Sequence, residues 1–548
     1  LPTVEIEGKD LATEALKILG ARVIDPEDPR CNGEDGSCVS RRCSECHSVS
    51  KAGLKHWRKL TQTAKNSCGL KEDPDSMTQE VALASINCLR TEPEDADSVF
   101  AAEKVGIFTT GARYGYFRKL FQKAYGPDEW LRRYMEFKAR VHMPKGTYAA
   151  LSQMEHAVLM KWFDSNLEAL DEVIVDPPAP STCEPYLDTE AMSAHIEEMK
   201  YEGWRAANKE AGVWMFGCNN GAEGSDCLTT FPDRDKDWGN GKGTLREVLK
   251  LDFKSSFWTR SSADGRYIAN GGGSGYSATV TDMLETRDIG VPSTYDPGFF
   301  PDNSGFIFQG GGTAVCAQSI LEDAKEEISF DDPSCMRPTN INLYQHVARG
   351  LNGGDYFIIN SQFTSDAGNG STDPRATFNV DSSMKFTPMI FNGTTYEQLR
   401  EVILDSPYEG DSVLSPSSQI VVSRLAGAED GGSLGFVLRK VSTEKFGDNY
   451  NINTDTVLTR ICTSGAKANI SYDERFMITH HYQDGKADII LFDLLTGEEH
   501  QITNMPEGVR ALFPHFRSDN WFYFLVKGGE EEYVVASDFA LVLEKGGE

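Results

Sequence analysis

Cys43-Ser44-Glu45-Cys46-His47 sets two thiols three positions apart, with an imidazole directly after the second. On one turn of helix, thiols at that spacing can each add to a vinyl group of one porphyrin. The adjacent imidazole then meets the iron from the same face. His47 would be the proximal ligand, its other ring nitrogen left for an outer hydrogen bond. Two other chemistries use the same residue types. A C-x-x-C pair can cycle between dithiol and disulfide, but that reading expects a βαβ pattern around it, which the flanking sequence lacks. Cys31, Cys38, Cys43, Cys46 and His47 also fall within one short stretch and could supply a zinc site.

The opposite face of the iron needs its own ligand. Arg140-Val141-His142-Met143-Pro144-Lys145-Gly146 runs directly into a strongly helical pattern over 147–170, with Thr147 expected as its N-cap. On the pentapeptide and this Met-Pro segment, the first part of the chain resembles the class I c-type cytochromes. The resemblance implies one covalently bound haem c, anchored by Cys43 and Cys46, with His47 proximal and Met143 distal. A thioether ligand favours reduced iron and raises the potential, which suits electron transfer. His142 is the direct rival, and bis-imidazole ligation would lower the potential; an open site is a third arrangement. Met143 lies further beyond His47 than compact cytochromes require. The helices between them, with Tyr114-Gly115-Tyr116-Phe117, would form an insertion. Lys55, Trp57 and Arg58 follow the motif by one to two helical turns and could meet a haem edge, although a packed Trp on a solvated face is the default.

Ten further cysteines are an even number. Proximity pairs Cys31 with Cys38, Cys68 with Cys88, Cys218 with Cys227 and Cys316 with Cys335, leaving Cys183 for Cys462. Haem attachment and an even disulfide set both expect an oxidising compartment: periplasm, cell surface or exterior. The chain opens Leu1-Pro2 with no n-region or h-region visible, so the exported reading takes a signal peptide as removed. No apolar run reaches the roughly 20 residues needed to span a bilayer, so no transmembrane segment is expected. With 83 Asp+Glu against 54 Lys+Arg, the net charge of −29 argues against nucleic acid and for a basic redox partner or bound cations.

The elements that must position these groups change character along the 548 residues. Helical periodicity predicts helices near 10–20, 53–67, 76–90, 98–124, 128–140 and 147–170. A Pro-rich run, IVDPPAPSTC, then predicts an extended linker, followed by an amphipathic helix over about 187–210. Beyond it a turn-plus-strand unit recurs: SSADGRYIANGG at 261–272, FFPDNSGFIFQGG at 299–311, ISYDERFMITHH at 470–481 and FRSDNWFYFLVKG at 516–528. LSPSSQIVVSR at 414–424 is a weaker copy, and DYFIINSQF at 355–363 a copy with an altered turn. Such repeats fit blades of a β-propeller. They resemble the WD40-like PD40 repeats of TolB-type propellers, and a divergent blade is expected between 302 and 417. The predicted organisation is multidomain. An all-α cytochrome c-like domain with a helical insertion spans 1–172, a Pro-rich linker 173–185 and a connecting helix 186–210. A propeller spans 211–548, with six blades, or seven if 213–217 lends a strand.

Weaker constellations complete the reading. Asp233, Asp235 and Asp237 have the alternate spacing of a calcium loop, but Thr244 stands where the bidentate Glu belongs, and a solvated acidic turn fits as well. His480 and His481 are neighbours on a strand, point to opposite faces and cannot share one metal; they are read as structural, with His515 ambiguous. Gly271–Gly275 follows a strand but opens no helix, so it is read as a blade loop. The function expected is single-electron transfer by an exported one-haem protein whose propeller docks a protein partner. The alternatives are a haem-dependent redox enzyme using an open haem face or the propeller channel, and a structural or assembly protein of the cell surface.

Overall fold

The computed structural model describes residues 3–20, 22–24, 40–42, 49–58, 68–71, 73–90, 114–141, 152–201, 229–230, 238–240, 243, 245–256, 258–272, 277–293, 295–309, 313–339, 341, 345–362, 378–426, 433–446 and 449–546. They form two compact units. One holds residues 1–177 with 402–405 and 444–451, and the other holds the rest.

The first unit is mainly helical. Helix α1 (Gly8–Gly20) buries Leu11, Ala15, Ile18 and Leu19, a stripe at helical spacing. That stripe packs on Val158, Leu159, Trp162 and Phe163 of α5 (Gln153–Asp164), and Leu54 and Trp57 of α2 (51–58) complete the cluster. Trp57 meets Phe163 edge-on at 5.3 Å, and Arg58 donates to the Phe163 carbonyl at 3.2 Å, so Trp57 is a packing residue. A second cluster joins α3 (Gln79–Arg90) to α4 (Tyr114–Val141) through Ile86, Phe117, Phe121 and Phe137. Gly126, at φ +76°, breaks α4 ahead of Pro127, which explains why its periodicity reads as two segments. Two expectations need correction. Helix α5 runs Gln153–Asp164 and its cap is Ser152, not Thr147: Ser152 and Glu155 form a reciprocal capping box. The unit is also not wholly helical, because Arg22–Ile24 and Ser40–Arg42 pair as an antiparallel ribbon ending just before Cys43.

The second unit contains a β-propeller. Six antiparallel meanders are present among the described residues, and their innermost strands are β1 (Thr259–Ser261), β2 (Tyr295–Phe299), β3 (Gln345–Arg349), β4 (Glu409–Leu414), β5 (Ala466–Ile470) and β6 (Arg510–Phe516). Each innermost strand lies beside the next, and β6 lies beside β1, closing a ring. The sixth sheet takes its outer strand, Leu245–Leu251, from upstream of the first, so the two ends of the domain are tied in one sheet.

The recurring turn lies between the first and second strand of each sheet. Gly265, Asn303, Gly353, Ser418, Glu474 and Asn520 occupy it with φ between +55° and +77°. Only Gly takes that conformation freely, and Asn more readily than most. The non-glycine residues have a further use. Asn303 accepts from Asp264 N–H at 3.2 Å, Glu474 from Ser417 N–H at 2.8 Å, and Asn520 donates to Asp473 at 2.8 Å. Each joins its own turn to that of the preceding sheet. Ser518 to the Ala263 carbonyl, Arg349 to Asp302, and the Arg349 N–H to the Pro416 carbonyl link the other junctions. The third turn, Gly350–Gly354, is the divergent one, a short 3-10 turn.

Helix α6 (Thr189–Tyr201) belongs to this second unit. Met192 and Ile196 are buried with Val413, Ile420 and Val422, and Tyr186–Leu187 adds to the outer edge of the fourth sheet. Three disulfides match the proximity pairing: Cys68–Cys88, Cys183–Cys462 and Cys316–Cys335. Cys31, Cys38, Cys218 and Cys227 lie outside the described residues.

Candidate functional site

The ring of innermost strands surrounds a cavity at its turn-bearing end, lined from all six strands. Its polar groups are Arg260 and Ser261 of β1, His346 of β3, Asn469 of β5, His515 of β6, and Tyr472 just beyond β5. Its volume is about 50 Å³.

Local backbone irregularity interrupts four of the six innermost strands before they reach this end. Register shifts mark β2, β4, β5 and β6. In the last three, the residue four before the turn has a positive φ: Asp411 at 47°, Lys467 at 39° and Phe513 at 53°. Such conformations cost on the order of 1–2 kcal/mol each for L-residues, and bulges of this kind re-aim side chains next to sites. Asp411 thereby meets Lys467 at 2.9 Å and Arg424 at 2.6 Å. Burial opposes its ionisation, but those two cations outweigh it and hold its pKa down to about 2.

The strained peptide of Phe513 organises the histidines. Its N–H donates to His480 Nδ1 at 3.2 Å, so the proton of neutral His480 sits on Nε2. Its carbonyl lies 3.3 Å from His515 Nδ1 and accepts from Arg260 at 3.4 Å. His515 Nε2 is 3.1 Å from the Ser261 hydroxyl. Asn469 accepts from Phe516 N–H at 2.8 Å, which turns its amide nitrogen towards His346 Nε2 at 3.4 Å. The His346 proton is therefore on Nδ1, where it has no acceptor among the described residues. Burial first, and then the nearby cations Arg260, Arg424 and Lys467, lower the pKa of His346, His480 and His515 to about 3. All three rings are uncharged at neutral pH. The channel thus offers fixed cations and neutral imidazoles, an environment rich in hydrogen-bond donors.

The residues singled out for haem and calcium, Cys43, Cys46, His47, Met143, its rival His142, and Asp233, Asp235 and Asp237, lie outside the described residues. Among the described residues no group of three His, Cys, Asp or Glu side chains is placed to hold a metal. No described helix is long and apolar enough to cross a membrane. His480 is buried and His481 turns the other way to the Ser464 carbonyl at 2.6 Å, as strand alternation requires. Sequence reasoning missed Arg260, His346, Asp411, Lys467 and Asn469. Register could have found His346, Asp411 and Lys467, since the position seven before each left-handed turn residue reads Trp258, Asp296, His346, Asp411, Lys467 and Phe513.

No protein-family model and no curated protein matches the chain. Among solved structures, it is similar to the β-propeller domain of Myceliophteria thermophila Cps50 (Swd1), at 8% identity and TM-score 0.34, over 53% of this chain and 99% of that one. TolB from Acinetobacter baumannii matches at 11% identity and TM-score 0.30, covering 47% and 57%. Kuenenia stuttgartiensis hydrazine synthase matches at 11% identity and TM-score 0.31, covering 55% and 82%.

Proposed function

We propose that this chain is an exported one-haem electron-transfer protein whose propeller serves as the docking platform for a protein partner. The observation that carries this reading is the pentapeptide Cys43–His47, whose donor set of two thiols and an adjacent imidazole fits covalent haem attachment. Cys43 and Cys46 would anchor the group, and His47 and Met143 would ligate its iron. When bound, the haem supplies a one-electron couple whose ferrous state a thioether ligand favours.

Described elements flank the motif on both sides. The β-ribbon ends at Arg42, and α2 begins at residue 51. Asp405 caps α2 by accepting from Lys51 N–H at 2.9 Å and Ala52 N–H at 2.7 Å. The disulfides support an oxidising compartment, and the acidic surface suits a basic partner. The six meanders are read as six blades. Asp233, Asp235 and Asp237 remain the proposed calcium ligands.

An optical spectrum of the full chain tests this. A reduced c-haem spectrum with a weak near-infrared thioether–iron band is expected, and Met143→Ala should turn the ferric iron high-spin. Zinc bound in place of haem would overturn the reading. The polar channel favours a second reading, a haem-dependent redox enzyme. Rapid carbon monoxide binding to the unmodified protein would support that instead.

A further inference from the structure

We propose that the turn-bearing end of the propeller channel holds an acyl-transfer centre for short-chain esters. Ser261 would be its nucleophile, His515 its general base and His346 the donor to the oxyanion. The chemistry involves no haem.

The nucleophile and base come from the two ends of the ring. Ser261 ends β1 and His515 lies on β6, and closure sets the Ser261 hydroxyl 3.1 Å from His515 Nε2. That is within the reach a nucleophile and its base require. On the far side of the imidazole, His515 Nδ1 lies 3.3 Å from the Phe513 carbonyl. A carbonyl only accepts, so the ring proton sits on Nδ1 and Nε2 is left to accept from Ser261. The orienting residue, Phe513, is held at φ +53°, and strain of this kind commonly accompanies a preorganised site. Ser261 and His515 are 8% and 3% exposed, yet both line the cavity, so a group that enters it meets them directly. His346 lines the same cavity, and its Nδ1–H is buried without an acceptor among the described residues. An unsatisfied buried donor is costly, and an oxygen gaining charge during reaction is the acceptor it serves best. The volume of about 50 Å³ compares with roughly 10–15 Å³ per enclosed water, so an acetyl-sized group fits and a long acyl chain does not.

Ser261 Oγ would attack the ester carbonyl carbon as its proton passes to His515 Nε2, and the carbonyl electron pair moves onto the oxygen facing His346. Collapse of that oxyanion breaks the ester C–O bond, and the proton on Nε2 leaves with the alcohol. Water then repeats the sequence on the acyl-serine, releasing the acid and restoring Ser261. A carbonyl dipole steadies the transient imidazolium less than a carboxylate would, so activated acyl groups are the expected substrates.

Methanesulfonyl fluoride, an activated sulfonyl donor small enough for the cavity, tests this on the full chain. Peptide mapping by mass spectrometry should place one methanesulfonyl group per chain, on Ser261, with fluoride released. Phenylmethanesulfonyl fluoride, which is bulkier, should react at least about tenfold more slowly. His515→Gln should slow labelling about a hundredfold or more, and His346→Leu about tenfold or more. Labelling of Tyr472 or other residues in place of Ser261, or equal rates in His515→Gln and the unmodified chain, overturns the proposal. Equal rates in His346→Leu overturn the assignment of the oxyanion donor. Should the variants not fold, mapping of the unmodified chain decides alone: Ser261 left unlabelled overturns the proposal.

Discussion

In the helical unit one buried cation, Lys51, meets two carboxylates, Asp171 at 3.0 Å and Asp176 at 2.7 Å. Beside the propeller channel the arrangement is inverted: one buried carboxylate, Asp411, meets two cations, Lys467 at 2.9 Å and Arg424 at 2.6 Å. Asp171 is 77% exposed and Asp176 34%, so water shares in stabilising that first cluster. Burial alone would lower the Lys51 pKa, and its bonds to the two carboxylates outweigh that and raise it. Asp411, with 8% side-chain exposure, has no such help from water. A saturated cluster at a helix start fixes position. A buried carboxylate shared by two cations is held ionised by them, because little water reaches it.

Substitutions can break this contrast. Asp411→Ala removes the carboxylate that Lys467 and Arg424 share and should lower unfolding stability by about 3 kcal/mol, read from urea midpoints. Lys51→Met leaves two carboxylates that water can reach, and about 1–2 kcal/mol is expected. Equal losses would mean that the two clusters do not differ as described.

Acid should strike the channel first. The unfolded chain's histidines titrate near 6.5, whereas His346, His480 and His515 resist protonation down to about 3. Between those values the unfolded state binds more protons, so stability is lost as pH falls. The slope should approach three protons, and His480→Asn should reduce it by about one. Asp411 acts lower down: its folded value of about 2 lies below the ordinary carboxylate value, so its stabilisation is lost only as pH falls towards 2.

The turns give the smallest effects. Gly265→Ala places a Cβ at positive φ, 3.0 Å from Arg517 Cδ, and should cost about 1–2 kcal/mol. Ser418 holds the same conformation, and its hydroxyl has no partner among the described residues, unlike the side chains of Asn303, Glu474 and Asn520. Ser418→Gly should therefore stabilise by up to about 1 kcal/mol, measured as a rise in Tm.

Legibility followed how far each feature reaches along the chain. The turns could be read because a left-handed residue must be supplied locally, and Gly265, Asn303 and Asn520 announce it. Ser418 announces it less clearly, and the copy at 414–424 is accordingly the weaker one, whereas the Glu474 copy is legible from its Ser471-Tyr472-Asp473 lead-in. The box Ser152–Glu155 was also local, yet the helical periodicity upstream of it pointed to Thr147. Disulfide partners emerged from proximity for Cys68–Cys88 and Cys316–Cys335, and by elimination for Cys183–Cys462. The channel was invisible because each strand contributes only one or two of its groups, and because bulges move Asp411, Lys467 and Phe513 off the alternation that a strand pattern assumes.

The amino-acid order alone determined the repeating turn, the helical character of the first part and the three cysteine pairs among the described residues. Each of these rests on a conformational or chemical demand met within a few residues, or on parity. Only the tertiary structure decided which residues face the channel, which proton each histidine carries and which cations share the Asp411 carboxylate. Those properties arise when six strands, drawn from residues 259 to 516, close into one ring.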